Sequence, residues 1–124
     1  MMLPMDKPRI TLFGIPNCDT VKKARAWLTA QGLDYQFHDF KKQGVPEQHL
    51  DIWLESVGWQ MLVNSRGTTW RKLDEAQQTA VVDTQTARTL ALAQPSVIKR
   101  PVVEWSDASV TVGFDETVWS AHLA

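Results

Sequence analysis

A single cysteine, Cys18, carries the most distinctive chemistry in this 124-residue chain. It follows Gly14-Ile15-Pro16-Asn17 and precedes Asp19-Thr20-Val21-Lys22, a loop running into a helical pattern. The first turn of a helix offers backbone N–H groups with no intrahelical acceptor, and the helix dipole adds partial positive charge there. A thiolate at that mouth is favoured over the thiol, and the thiolate is the form that attacks disulfides. Lys22, four residues on, falls one turn along and adds positive charge, while Asp19 opposes it. Position alone leaves a second reading open: a lone cysteine is commonly a small buried group that packs as an apolar one.

The other reactive side chains point elsewhere. His38, His49 and His122 have no metal-ligand spacing among themselves or with Cys18, so ordinary core or surface roles and no metal are expected. No glycine-rich phosphate loop is present, so no nucleotide is expected either. Arg100-Pro101 stands directly before a β-rich run. Proline cannot donate within a central strand, so Pro101 marks the entrance to one. The Arg100–Pro101 bond can be cis there, as about 5% of X-Pro bonds are.

The elements that must position Cys18 follow from periodicity. Arg9 to Phe13 is a short apolar run ended by Gly14, a buried strand. Asp19 to Gln31 is helical, with Val21, Ala24 and Leu28 on one face and Trp27 beside them. Gly32 suits the position after the helix end. Leu33 to Phe40 alternates with period two, a second strand. One helix between two strands implies a parallel pair. Pro46 suits the first position of a helix in which Leu50, Trp53, Leu54 and Val57 recur, up to Gly58. After Trp59 to Val63 and the turn Asn64-Ser65-Arg66-Gly67, helices are predicted over Thr69 to Ala80 and Asp83 to Gln94. Asp83 or Thr84 caps the latter, Ala87, Leu90 and Ala91 form its buried face, and Pro95 ends it. Val102 to Trp105 and Val110 to Gly113 read as a hairpin, followed by a helix capped by Asp115. The order β-α-β, helical insertion, β-β-α gives an α/β protein, a mixed sheet flanked by helices. The expected organisation is one domain, with a sheet portion over 8–43 and 96–124 and an insertion over 44–95.

Composition sets the outer bounds. The chain is 44% hydrophobic and 22% charged, ordinary for a globular protein. A net charge of −1 gives no reason to expect nucleic acid or an anionic membrane as a partner. Ten of the thirteen basic residues fall in four patches, among them Lys22, Lys23 and Arg25, then Lys41 and Lys42, whereas Glu104 onward has four acids and no Lys or Arg. The six tryptophans are scattered, which fits core packing. The opening Met1 to Pro8 is too short and interrupted for a signal peptide, no run approaches the roughly 18 apolar residues of a membrane helix, and one cysteine makes no internal disulfide. A cytoplasmic protein is expected.

Three separated segments, Gly14 to Ala24, Asn64 to Leu73 and Ile98 to Val103, resemble the ArsC/Spx family, above all its YffB-like branch of glutathione-dependent thiol reductases. The resemblance runs from about Arg9 to Leu123. It implies a thioredoxin-like, glutaredoxin-like fold with a helical insertion and a reactive Cys18 in a loop comprising Gly14, Pro16, Asn17, Asp19 and Thr20. It further implies that Arg66 and Arg100 point towards Cys18, with Lys22 as a further anion-binding group, and that Pro101 is a cis-proline beside the thiol. Arginine suits both tasks, gripping a carboxylate or oxyanion and stabilising a thiolate.

Two departures narrow the chemistry. Glutaredoxin-linked arsenate reductases carry a histidine four residues before the cysteine, where this chain has Gly14, and a third arginine absent here after Arg100. Spx regulators have Cys-x-x-Cys, and the second position here is Val21, so no internal disulfide switch can form. With one thiol, any exchange cycle must be resolved by an external thiol. The reading is therefore a monothiol, glutathione-dependent thiol–disulfide oxidoreductase with no permanently bound cofactor. Glutathione would be co-substrate, its carboxylates meeting Arg66, Arg100 and Lys22 or Lys41, and the second substrate a disulfide, mixed disulfide or oxyanion. The alternatives are arsenate reduction with glutathione and glutaredoxin, and a non-enzymatic regulator that binds RNA polymerase or another protein. A monomer is expected.

Overall fold

A computed structural model describes residues 10–122. Arg9 and Leu123, the ends of the expected resemblance, lie outside the described residues, as does the opening segment Met1 to Pro8. The chain divides into two compact units, residues 10–39 with 100–122, and residues 40–99.

The first unit is a four-stranded sheet in the order β2-β1-β3-β4. Its strands are β1 (Ile10–Gly14), β2 (Tyr35–Asp39), β3 (Val102–Glu104) and β4 (Val110–Val112), and its helices are α1 (Asp19–Ala30) and α8 (Glu116–Ala121). β1 and β2 are parallel, as one intervening helix requires, with Ile10 opposite Tyr35 and Gly14 opposite Asp39. β3 runs antiparallel to β1, with Phe13 opposite Val102, and closes the hairpin with β4. Val21, Ala24 and Leu28 of α1 are fully buried. The helix closes with Gly32 at φ +71°, its N–H donating to the Thr29 carbonyl while the Leu33 N–H reaches Leu28. Glycine takes this left-handed position at little cost. Asp115 caps α8 by accepting from the N–H groups of Thr117 and Val118. Trp119 fills the space over the sheet, its ring edge-on to Trp105 at 5.0 Å, Phe114 at 4.7 Å and Trp27 at 5.7 Å.

The second unit is helical: α2 (Phe40–Gln43), α3 (Glu47–Val57), α4 (Trp59–Leu62), α5 (Thr68–Lys72), α6 (Glu75–Thr79) and α7 (Thr84–Ala93), followed by a 3₁₀ turn over Pro95–Val97. Leu50, Trp53 and Leu54 of α3 and Ala87 and Ala91 of α7 are buried. Arg88 ties α7 to α3, its Nε 2.6 Å from Asp51 and its Nη2 3.1 Å from Glu47. A short bridge pairs Val63 with Ile98. Asp83, rather than Thr84, caps α7 through a reciprocal pair of bonds with Thr86.

Several boundaries differ from the sequence pattern. Pro46 is the residue before α3 and not its first turn, with φ −74° and ψ 114°; its carbonyl accepts the first helical bond from Leu50. The helix expected over Thr69 to Ala80 is two, because Asp74 and Gln77 form a capping box that starts α6 afresh, with Leu73 extended and buried before it. The second strand is shorter than its alternation, and Phe40 turns into α2 and packs against Trp53. All six tryptophans are buried or half-buried, as core packing requires.

Candidate functional site

Gly14 ends β1 at the point where α1 crosses back over the sheet. A Cβ there would stand 2.8 Å from Val21 Cγ2, so only glycine lets helix and strand approach so closely. Ile15 is half-buried, Pro16 and Asn17 make an exposed turn, and Cys18 follows as the N-cap of α1. Cys18 has extended backbone angles, φ −97° and ψ 125°, and its carbonyl accepts from the Lys22 N–H at 2.9 Å. Its side chain makes no capping hydrogen bond. It is half-buried, packed on one flank against the aromatic and aliphatic core beneath α1. The first-turn N–H groups of α1 face the space at this cap.

Strand register gathers further groups at the same end of the sheet. Asp39 lies opposite Gly14 on β2. Extending the β1–β3 pairing by one residue sets Pro101 across from Gly14 on the other side. The Arg100–Pro101 peptide is cis, Pro101 is fully buried, and its carbonyl accepts from the Gly113 N–H at 2.8 Å. Arg100 is half-buried and engaged in the structure. Asp19, Thr20 and Lys22 are exposed on α1. Arg66 belongs to the second unit, exposed in the turn after α4, where its N–H donates to Asn64 Oδ1 at 3.2 Å. Lys41 is in the second unit as well, on α2.

Asp39 is the residue at this end that the sequence reading passed over. It is the one charged side chain that is buried among the described residues, and it is engaged there. Alternation places Asp39 at the end of the second strand, but only the register that sets it opposite Gly14 brings it to the same sheet end as Cys18. Among the described residues no cluster of three or more His, Cys, Asp or Glu could hold a metal, and no helix is long and apolar enough to cross a membrane.

A mixed sheet of this order, a helical insertion between β2 and β3, and a cysteine at the mouth of α1 define the thioredoxin-like fold in its ArsC form. The chain belongs to the ArsC family, whose pattern it matches over residues 13–122. It is 48% identical to the solved YFFB protein, covering 93% of this chain and 99% of that one with a TM-score of 0.86. An arsenate reductase (ArsC) related protein from Brucella melitensis is 47% identical, covering 95% and 97%, with a TM-score of 0.73. An uncharacterized protein of Haemophilus influenzae is 39% identical over 93% of this chain and 99% of its own, and the global transcriptional regulator Spx of Streptococcus pyogenes is 27% identical over 93% and 85%.

Proposed function

We propose that this protein is a glutathione-dependent thiol–disulfide oxidoreductase of the cytoplasm, acting through Cys18 alone. The observation that carries the reading is the placement of the chain's one thiol at the uncapped mouth of α1, half-open beside the turn at Pro16 and Asn17. In the first step the Cys18 thiolate attacks the glutathione sulfur of a mixed disulfide. The substrate leaves as its thiolate, and Cys18 becomes joined to glutathione. A second glutathione thiolate then attacks the glutathione sulfur of that bond, releasing oxidised glutathione and restoring Cys18. Each exchange forms one S–S bond and breaks one. The first-turn amides favour the charged sulfur in both the attacking and leaving roles. Arg100 and Lys22 are the groups assigned to glutathione's carboxylates, and Pro101 to the flank of the thiol. No permanently bound cofactor enters the cycle, and a monomer suffices for it.

The names of the solved relatives favour arsenate as a second substrate class. The close approach at Gly14 argues against it, because a histidine there would bring the same clashing Cβ towards Val21. The third reading, a regulator that binds RNA polymerase or another protein, draws on the Spx relatives. The deciding experiment compares wild type with Cys18→Ser on a glutathionylated peptide, with glutathione, glutathione reductase and NADPH. Turnover lost entirely in the serine variant is the expected result, and equal activity would end the proposal. Arsenate-dependent NADPH oxidation with glutaredoxin added would move the assignment to arsenate. Specific RNA polymerase binding by both forms, without thiol turnover, would move it to regulation.

A further inference from the structure

α1 carries a second recognition feature beyond Cys18. Its outer face holds an open depression lined by Lys22, Arg25, Ala26, Thr29, Ala30 and Tyr35. Arg25 is held in a fixed pose there: its Nε donates to the Tyr35 hydroxyl at 2.9 Å, and its guanidinium lies over the Phe37 ring at 4.1 Å. Tyr35 and Phe37 are alternate residues of β2 and point to the same side of the sheet, so one strand face fixes both supports. Among the described residues the two Nη nitrogens of Arg25 make no hydrogen bond. A guanidinium locked through Nε and stacked on an aromatic ring has already lost most of its rotamer freedom, and its Nη edge matches the two oxygens of a carboxylate.

The spacing links this fork to the thiol. Cys18, Lys22, Arg25 and Thr29 follow one another at i, i+4, i+7 and i+11, a single row along the helix. Seven residues at a helical rise of 1.5 Å put Arg25 roughly 10 Å from Cys18. An extended peptide covers that distance in about three residues. Lys22 and Arg25 make the row positive, and α1 as a whole carries Lys22, Lys23 and Arg25 against the single acid Asp19. The small side chains of Ala26 and Ala30 leave room for a chain to lie against it.

We infer that this row is a docking track for the polypeptide of the substrate, and that Arg25 binds an acidic side chain about three residues from the substrate cysteine. The inference rests on the thiol chemistry proposed for Cys18 and adds the class of substrate: glutathionylated segments with a Glu or Asp near the modified cysteine. The carboxylate belongs to the substrate polypeptide rather than to glutathione.

The test uses glutathionylated peptides identical except for Glu or Gln three residues from the cysteine, one pair on each side. Both members of a pair carry glutathione, so their ratio reports the peptide carboxylate alone. For one pair, wild-type kcat/KM should be about fivefold higher with Glu, the upper range for an exposed but well-oriented ion pair. Arg25→Met should bring that ratio to about one, and Arg25→Lys, which keeps the charge and loses the fork, to an intermediate value. A wild-type ratio near one in both pairs, or a preference that survives in Arg25→Met, overturns the inference. If no peptide is turned over, the thiol chemistry itself has failed. The track is then judged by titrating Cys18→Ser with the same peptides. An Arg25-dependent preference for Glu retains the docking track, and equal affinities overturn it.

Discussion

Gly14→Ala tests the geometry on which the position of Cys18 depends. The added Cβ would meet Val21 Cγ2 at 2.8 Å, whereas carbon atoms in favourable contact stand about 3.5–4.0 Å apart. The shortfall is roughly 1 Å. Val21 cannot relieve it by turning aside, because it is fully buried and a β-branched side chain in a helix has essentially one χ1 rotamer. Overpacking of this kind costs about 1–3 kcal/mol. For a chain of this length that corresponds to a fall in Tm of very roughly 4–12 °C. Urea denaturation followed by tryptophan fluorescence would measure it, and a double-mutant cycle with Val21→Ala isolates the contact. Removing the valine methyls should make Gly14→Ala nearly neutral, a coupling of about 1–3 kcal/mol. A Gly14→Ala loss below about 0.5 kcal/mol, or simple additivity with Val21→Ala, would refute the claim that this glycine sets the approach of α1 to β1.

Two further outcomes follow from the same structure. Trp119→Ala should cost about 3–5 kcal/mol, since it empties the fully buried centre of the ring cluster formed with Trp27, Trp105 and Phe114; thermal unfolding checks this, and a loss below 1 kcal/mol would show that the cluster is not the core of its unit. The Thr86 backbone N–H, then its hydroxyl, hold the Asp83 carboxyl below its ordinary value of 3.8. That folded-state depression stabilises the protein above pH 3.8 and is lost as the pH falls below it through the lowered folded value, so the Tm gap between wild type and Asp83→Ala should be full at neutral pH and narrow under acid conditions. A gap that does not change with pH would count against the charged cap.

The parts of this fold that could be read from sequence are those in which one local rule acted without competition. Val21, Ala24 and Leu28 recur at helical spacing and are all fully buried, and Gly32 takes the left-handed turn that its position after the helix demanded. Asp115 and Asp83 cap helices because an acid before a helical run satisfies orphan N–H groups whatever the tertiary setting. Reading failed where two rules competed. Thr69 to Ala80 kept a helical composition, but within it Asp74 and Gln77 satisfied each other's backbone donors and restarted the helix. Phe40 continued the alternation of β2, yet burial beside Trp53 took it into α2.

The candidate site divides in the same way. The place of Cys18 at the start of α1 was legible because loop chemistry and helix onset meet at one residue, both of them local signals. Asp39 and Arg25 were not, because their significance depends on pairing. Asp39 matters through its register opposite Gly14, and Arg25 through two supports on a strand ten residues further along. From sequence Arg25 is one of three cations on a helix face, indistinguishable from Lys22 and Lys23. Only when β2 is laid parallel to β1 do Tyr35 and Phe37 come under it and turn a solvated cation into an oriented fork. Tertiary pairing alone therefore sets the pose of Arg25, through the hydroxyl of Tyr35 and the ring of Phe37, whereas the place of Cys18 at the start of α1 is fixed by its neighbours in sequence.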